Sequence, residues 1–399
     1  MASISKMKNR VSQRINNIKP SPTMEITRLA KNLIDQGEDV IALSAGEASF
    51  ESPASSALAG IKAVTRGKTR YTQVDGIPEL KKQIAKRYSR DYQLDFSIEE
   101  IMVTTGAKHA LFNAFNVLIN HGDEVIIPAP FWVSYPDMVK LCDGIPVIVE
   151  SKKAGLFKLT AEALEQNITP QTKVVILNSP NNPTGVIYSA EDLTEIANVL
   201  RKHPNIFIFS DEIYDLIYWN EQPAHILQVA PDLKDRCIIQ NGISKSYAMA
   251  GWRVGYSIAP SDITKAMRVF QSQSLSNPCS ISQYAAVDAL SIPREQLLPQ
   301  IEAYQQRVKY VCDRINQLHG FNVTMPSGAF YLFVDMQKYL AQSQYASDEE
   351  FVLAFLDKQK VAVIHGSAFG VEGHFRISCA ASLEQLTEAM NRLEAFINE

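Results

Sequence analysis

The chain has 399 residues, of which 46% are apolar and 21% charged, and its 39 basic and 43 acidic side chains give a formal charge of −4. This length predicts about two domains, and the weak acidity argues against nucleic acid as a partner. No uncharged apolar run reaches the length of a membrane span, so no membrane partner is expected. Five scattered cysteines without a CxxC pair indicate separate buried thiols in a reducing compartment rather than disulfides or a metal site. We therefore expect a cytoplasmic protein.

The first 24 residues contain five basic side chains and no acidic one. This composition is typical of a transit peptide. However, apolar residues recur at helical spacing, namely Ile4, Met7, Val11, Ile15 and Ile18. We favour the second interpretation, a packed amphipathic helix that would serve as a dimer arm.

The middle of the chain alternates short β-branched runs with helical patterns. The runs interpreted as strands are 123–130, 145–150, 173–180, 205–212 and 236–244, and one clear helical pattern covers 189–202. Strands that are apolar almost throughout are typical of a sheet covered on both faces. The alternation predicts an α/β fold with a mostly parallel sheet.

The remainder of the chain predicts a smaller α+β domain. A helical stretch over 285–318 precedes short strands at 328–336, 361–366 and 374–380, and a closing helix begins near 382. We place the large domain at 50–290. The small domain would combine 1–49, including the N-terminal arm, with 291–399.

Polar residues follow three successive strands of the predicted sheet. They are Asn178 and Asn182, Asp211 and Tyr214, and Ser244 and Lys245. Ligands of open α/β sheets bind outside the carboxyl ends of the strands. The three strands are therefore expected to direct these groups into one crevice.

Lys245 is a single amine among small and apolar residues, in the sequence NGISKSYAMAGWRVGY. A lysine in partly apolar surroundings loses its proton more easily and can attack a carbonyl. The neighbouring small residues leave room for a planar partner. An isolated lysine of this kind would more simply be a surface residue, so the hypothesis depends on the groups around it.

Those groups have matching chemistry. Asp211 could hold a pyridinium nitrogen, while Tyr214 and Asn182 could bind a phenolic oxygen. The glycine turn and helical pattern of 104–115 predict a helix N-terminus, which is a phosphate site. Arg253 could pair with that phosphate and Trp132 could stack on an aromatic ring. The alternatives are a helix cap for Asp211, a turn former for Asn182 and a core residue for Trp132. Together these groups indicate pyridoxal phosphate.

The same motifs resemble those of the class I aminotransferases of pyridoxal-phosphate fold type I. The resemblance extends from about Val11 to the C-terminus, and it rests on residues 242–255 and on the motifs NSPNNPTG and SDEIY. It is strongest to bacterial aspartate aminotransferases of the subgroup that includes aspartate/prephenate aminotransferases. This resemblance implies a large domain with a seven-stranded, mostly parallel sheet and a smaller α+β domain.

The resemblance also implies roles for individual residues. Lys245 would form the Schiff base and shuttle a proton, Asp211 would pair with the ring nitrogen, and Tyr214 and Asn182 would bind the ring oxygen. The residues implied in holding the phosphate and the rest of the cofactor are Gly106, Ala107, Lys108, Ser244 and Arg253. Tyr71 would reach the phosphate of a neighbouring subunit, which implies a homodimer with shared active sites. Arg376 and Gly46 would bind the substrate α-carboxylate, Arg376 through its planar fork. Trp132 and Asn182 would contact the substrate as well as the cofactor.

Acidic substrates need a second cation. In the subgroup this role resembles that of Lys108, assisted by the hydroxyl of Ser21 or Thr23, so we favour L-aspartate with 2-oxoglutarate. Lys108 could instead contact the phosphate or solvent, and Arg376 could be a structural residue. The chain departs from the subgroup in GEASF, which stands in place of GEPDF, and at His365, where proline is common. His365 could be inert, a polar neighbour or a loop contact.

Other functions on the same scaffold remain open at this stage. They are an aromatic or prephenate aminotransferase, a carbon–sulfur lyase and a decarboxylase, since fold does not determine function. A ligand-sensing domain of a transcriptional regulator is a further alternative. It is disfavoured because the resemblance begins near residue 11 and leaves no room for a DNA-binding domain.

Overall fold

A computed structural model describes residues 11–18, 20–150 and 156–398 of the chain. The helices within these residues are α1 Gln13–Asn16, α2 Pro22–Asp35, α3 Ala54–Thr65, α4 Pro78–Tyr92, α5 Ala107–Leu118, α6 Tyr135–Leu141, α7 Ala161–Asn167, α8 Ala190–Lys202, α9 Ile226–Val229, α10 Ser261–Ser274, α11 Ser280–Ser291, α12 Arg294–Ile315, α13 Gln337–Leu340, α14 Asp348–Gln359 and α15 Leu383–Ile397. The strands are β1 Ile41–Ala42, β2 Ile101–Thr104, β3 Glu124–Ala129, β4 Ile145–Glu150, β5 Thr172–Asn178, β6 Phe207–Asp211, β7 Cys237–Gly242, β8 Gly255–Ile258, β9 Tyr331–Asp335, β10 Val361–Ala362, β11 Ile364–His365 and β12 His374–Ser378.

The largest sheet has seven strands in the order β2-β8-β7-β6-β5-β3-β4. Strand β8 is antiparallel to both neighbours, whereas β3 to β7 are mutually parallel. The predicted α/β fold with a mostly parallel seven-stranded sheet is therefore confirmed. The sequence analysis did not identify β2 and β8, which are only four residues long.

Both faces of this sheet are buried, as the apolar strands predicted. Alternate residues of one strand point to opposite faces. Ile208 belongs to the apolar core on one face, with α4, α8 and α11, whereas Phe209 belongs to the core on the other face, with α5 and α6. The carboxyl ends of β5, β6 and β7 consequently lie side by side and present Asn178, Asp211 and the residues after Gly242.

The C-terminal part of the chain forms a second core around a three-stranded antiparallel sheet in the order β11-β12-β9. Helices α12 and α14 pack against this sheet, and α15 packs against both helices and joins the same core. Strand β1 pairs with β10, so residues before position 50 join this core. The domain limits at 50 and 290 remain predictions.

The predicted helix over 285–318 is two helices, α11 and α12, separated at Ile292 and Pro293. Proline cannot donate a backbone hydrogen bond, and it disfavours helical geometry in the residue before it. Likewise, the predicted strand over 361–366 is divided into β10 and β11. The long helix α12 contributes Leu297 to the core of the large sheet and Val308 to the second core, so it connects the two.

The predicted N-terminal amphipathic helix falls mainly outside the described residues. Its described part is the four-residue helix α1, in which Ile15 is 48% exposed; Val11, just before it, is 39% exposed. These two apolar side chains are therefore not packed into the core of this chain. Among the described helices, none is both long and apolar enough to cross a membrane.

Candidate active site

A cavity of about 270 Å³ lies at the carboxyl ends of β5, β6 and β7, where α2, α5 and β12 also converge. The sequence-predicted residues that line it are Ser21, Thr23, Gly46, Ala107, Lys108, Trp132, Asn182, Asp211, Tyr214, Ser244, Lys245, Arg253 and Arg376. Its volume is near the lower end of the range for small-molecule sites, roughly 300–1,000 Å³. The fold thus brings together residues that are separated by up to 355 positions in the sequence.

Asp211 ends strand β6 and is buried beneath the cavity. Burial raises the pKa of this carboxyl from 3.8 to about 6, and a hydrogen bond from Tyr135 partly opposes the shift. The backbone N–H of Ile213 donates to the other carboxylate oxygen at 3.3 Å. A buried carboxylate in this state is stabilised by a cation placed against it.

Lys245 lies in the turn after β7, at the mouth of the cavity. Its Nζ donates a hydrogen bond to the carbonyl oxygen of Gly46. Gly46 itself is confined, because a Cβ at this position would lie 1.8 Å from the hydroxyl oxygen of Tyr331. The amine therefore faces the cavity beside a backbone segment that has no room for a side chain.

The N-terminus of α5 forms one end of the cavity. Its N-cap residue, Gly106, has φ +81°, and no side chain caps the helix. Gly255 of β8 allows close approach, since a Cβ there would lie 2.3 Å from the backbone nitrogen of Ala107. A Cβ on Gly106 would lie 2.7 Å from a guanidinium nitrogen of Arg253. Free amide groups, a helix dipole and a guanidinium at one point form a site for an anion such as phosphate.

Arg376 of β12 is buried at the other end of the cavity. Its guanidinium donates to Asn182 Oδ1 at 2.9 Å and to the carbonyl oxygen of Ser44, and it lies over the ring of Tyr331. Burial lowers the pKa of Arg376, and the hydroxyls of Tyr331 and Tyr214 oppose this shift. Within the described residues no carboxylate forms an ion pair with Arg376, and its Nε has no hydrogen-bond partner.

The outer wall of the cavity carries Lys108, Ser21 and Thr23. Lys108 Nζ lies 4.9 Å from the centre of the Trp132 ring, which is a cation–π contact. Partial burial lowers the pKa of Lys108, and Arg253 lowers it further. The hydroxyl of Thr23 is buried and lacks a hydrogen-bond partner in the described structure.

Two of the singled-out residues lie elsewhere. Tyr71 is 93% exposed and does not line the cavity of its own chain. His365 is buried in β11, where its Nδ1 lies 2.6 Å from the hydroxyl of Ser367, and that hydroxyl donates to Asp348 Oδ1 at 2.9 Å. His365 is thus a polar neighbour in a network at the start of α14.

Two tyrosines that line the cavity were not predicted from the sequence. Tyr135 donates to Asp211, and the Tyr331 hydroxyl lies 2.8 Å from that of Tyr214. Tyr135 is three residues after Trp132 in PAPFWVSYP, a spacing that could have suggested a shared face. Nothing in the sequence around Tyr331 distinguishes it from an ordinary strand residue.

A family model described as aminotransferase class I and II matches residues 38–393, and the chain belongs to this family. The predicted class I aminotransferase is therefore confirmed.

Named relatives match over almost the full length. The chain is 46% identical to an aspartate aminotransferase from Geobacillus stearothermophilus, covering 97% of this chain and 99% of the relative. It is 45% identical to a probable aspartate/prephenate aminotransferase from Rickettsia felis, covering 96% and 95%. The crystal structure of the aspartate aminotransferase from Rhizobium meliloti matches with a TM-score of 0.93 at 41% identity, covering 97% of this chain and 98% of that one. These matches confirm the predicted fold type I architecture.

Proposed function

We propose that this protein is a pyridoxal-phosphate-dependent aminotransferase that transfers the amino group of L-aspartate to 2-oxoglutarate, forming oxaloacetate and L-glutamate. The main support for this proposal is that one cavity contains the Lys245 amine, the buried Asp211 carboxylate and the guanidinium of Arg376. Among the described residues, this guanidinium has no ion pair. The names of the similar proteins support the choice of aspartate.

The residues present fit pyridoxal phosphate. The α5 N-terminus with Arg253 suits a phosphate, and the confined backbone at Gly106 and Gly255 keeps that cradle free of side chains. Beneath the cavity, Asp211 suits a protonated ring nitrogen, because a cation placed against this buried carboxylate stabilises it. Trp132, which is half-buried in the cavity wall, offers a flat face for the ring. Ser244, next to Lys245, and the pair Asn182 and Tyr214 would complete the polar contacts.

When bound, the cofactor supplies a covalent acceptor for the substrate amine and an electron sink for the α-carbon. The protein supplies the remainder. Lys245 would hold the cofactor through its amine. Once released, the same amine would take the proton from the substrate α-carbon and deliver it to a carbon of the cofactor. Asp211 would keep the ring nitrogen positively charged, while Tyr214 and Asn182 would donate hydrogen bonds to the ring oxygen.

Two cations that line the cavity would select the substrate. Arg376 would bind the α-carboxylate through two parallel hydrogen bonds, with the backbone of Gly46 alongside it. Lys108, aided by the buried hydroxyl of Thr23 or by Ser21, would bind the distal carboxylate. An acidic amino acid satisfies both cations, whereas a neutral one leaves Lys108 unpaired.

An aspartate/prephenate aminotransferase is the second candidate, favoured by the name of the similar Rickettsia protein. Prephenate also carries a second carboxylate, so the same two cations would serve. A carbon–sulfur lyase gains no specific support from the cavity. The cytoplasmic location remains a prediction from the composition.

We further infer a homodimer with shared active sites. Leu58, Ile61 and Val64 lie at helical spacing on α3, and each is at least half exposed. The nearby Tyr71 is almost fully exposed as well. A second copy packed on this apolar face would bury it and would bring Tyr71 to the phosphate cradle of the partner subunit.

The absorption spectrum of the purified protein tests the proposal. Adding pyridoxal phosphate is expected to produce the absorption of a lysine-bound cofactor, and Lys245→Ala should abolish that band. L-aspartate should then convert the spectrum to that of the amine form, and 2-oxoglutarate should restore it. A lysine-bound spectrum that does not respond to aspartate would contradict the substrate, and the absence of any band would contradict the cofactor.

A further inference from the structure

The turn that carries Asp211 and Tyr214 has a second, inward side. Successive residues point to opposite faces at the end of a strand, so Glu212 points away from the cavity into the core that contains Tyr88. The backbone N–H of Asp215 donates to the carbonyl of Glu212 at 2.9 Å, which closes the turn. Both acidic side chains are buried.

Glu212 is surrounded by hydrogen-bond donors. Its Oε1 accepts from the hydroxyl of Ser210 at 2.8 Å, and its Oε2 accepts from the hydroxyl of Tyr88 at 3.1 Å. His225 Nε2 lies 2.9 Å from Oε1, off the ideal line of a hydrogen bond. His225 Nδ1 accepts from the backbone N–H of Leu227 at 3.0 Å, so the proton of a neutral ring is on Nε2 and points toward Glu212. An ionised carboxylate only accepts hydrogen bonds, and this arrangement of donors suits it.

The other acidic group of the turn is neutralised. Asp215 accepts hydrogen bonds from Arg87 and from the hydroxyl of Tyr92. The guanidinium of Arg87 also lies 3.3 Å from Asp91, which in turn pairs with Arg90. By contrast, no lysine or arginine among the described residues forms an ion pair with Glu212, whose nearest nitrogen-containing side chain is the ring of His225.

Buried ions are normally paired or accompanied by hydrogen bonds, because desolvation is costly. Here Glu212, which no lysine or arginine among the described residues pairs, follows Asp211 directly in the chain and is buried on the side away from the cavity. A negative charge in this position attracts a cation placed against Asp211. At an effective dielectric constant near 20, this attraction is still appreciable at a separation of roughly 10 Å.

We propose that Glu212 is a positioning residue that acts through Asp211: its buried negative charge strengthens the hold of the site on the protonated ring nitrogen of the cofactor. This inference rests on the proposed function, since it assumes that the ring nitrogen lies against Asp211. A purely structural role for Glu212 would instead shape the turn without regard to the charge of the ligand.

A pair of cofactors distinguishes these two roles. The binding of pyridoxal phosphate is compared, in cofactor-free protein, with that of its analogue in which CH replaces the ring nitrogen. Glu212→Gln keeps the shape and removes the charge. We expect this substitution to weaken the binding of pyridoxal phosphate by about tenfold and to leave the binding of the analogue unchanged. The tenfold figure is the order of magnitude for one charge acting over roughly 10 Å at an effective dielectric constant near 20. Tyr88→Phe is the matched control, because it removes a hydrogen bond to Glu212 but no charge, and it should affect both ligands equally.

Each outcome has a distinct meaning. Equal weakening of both ligands by Glu212→Gln would overturn the electrostatic role, and so would an unchanged affinity for both. If wild-type protein bound neither ligand, the proposed cofactor would fail instead. Should Glu212→Gln not fold, Glu212→Asp provides the test, since it retains the charge and should preserve the preference for the nitrogen-containing ligand.

Discussion

At the scale of single residues, Arg376 shows how the site is prepared for its ligand. A guanidinium buried without an ion pair is costly to desolvate, and its hydrogen bonds go to the neutral acceptors Asn182 and Ser44. A substrate carboxylate bound to Arg376 would therefore offset the desolvation cost of this buried guanidinium. The planar fork of arginine matches a carboxylate better than the single ammonium of lysine.

Arg376→Lys is expected to lower kcat/KM for L-aspartate by at least about 100-fold, roughly 3 kcal/mol of lost binding in the transition state. The absorption of the bound cofactor should be unchanged. The matched control is Arg294→Lys, because the described contacts of Arg294 are hydrogen bonds to two backbone carbonyls and a cation–π contact with Tyr218, all away from the cavity. Its replacement should affect stability alone. Steady-state kinetics of both variants provide the test; equal activities would refute the role of Arg376.

Asp211 gives the cofactor-free protein a specific pH dependence. The unfolded chain ionises this group near pH 3.8, whereas burial raises the pKa of the folded form to about 6. Between these two pKa values the folded state binds more protons than the unfolded state, so the free energy of unfolding falls as pH rises. The total loss is about 3 kcal/mol, of which about 1 kcal/mol falls between about pH 5 and about pH 7.5. Asp211→Asn should lack this loss. Urea unfolding at several pH values measures the difference, and parallel curves for the two proteins would contradict it.

At the scale of secondary structure elements, the phosphate cradle depends on the close contact of β8 with the start of α5. The antiparallel strand β8 lies next to β2, and residue Gly255 pairs with Thr104 immediately before the helix. A side chain at Gly255 would collide with backbone atoms, which cannot move aside as a flexible side chain can. The geometry of the helix N-terminus is therefore fixed by a neighbouring strand.

Gly255→Ala is expected to weaken pyridoxal phosphate binding by about tenfold or more and to destabilise the protein by about 1–3 kcal/mol through overpacking. Gly251→Ala is the matched control, because a Cβ at Gly251 has no atom within 4 Å. Cofactor titration and thermal unfolding of both variants measure the effect. A normal affinity in Gly255→Ala would mean that this strand does not shape the cradle.

At the scale of the whole molecule, the single chain leaves a conspicuous part of its surface apolar. The exposed face of α3 and Tyr71 lie together in the sequence, before α4, whereas Lys245 of the cavity follows β7 and Arg376 belongs to β12. A dimer would explain both the apolar face and the position of Tyr71 outside its own cavity.

Mixing two defective variants tests the shared site. Lys245→Ala and Tyr71→Ala should each be impaired. In a mixed dimer one site would contain both defects, but the other would combine the intact Lys245 of one subunit with the intact Tyr71 of the other. Activity should therefore rise after the two proteins are unfolded and refolded together, to well above the sum of the separate activities. No gain, with dimers verified by size, would contradict the sharing of sites between subunits.

The alternation of strands and helices, and the chemistry of the residues after β5, β6 and β7, could be predicted from the sequence because apolar periodicity and local polarity are properties of short segments. The boundary between helices α11 and α12 at Pro293 could also have been predicted from the local sequence, but the long helical pattern on both sides obscured it. The distribution of charges around the Asp211 turn could not be predicted in this way.

The environment of those residues depends on contacts between distant parts of the chain. The raised pKa of Asp211 follows from burial, and its hydrogen bond from Tyr135 joins positions 76 residues apart. Tyr331 meets Tyr214 across 117 residues, and Glu212 meets Tyr88 across 124. Desolvation and long-range contacts depend on which surfaces the fold brings together, and no short segment contains that information.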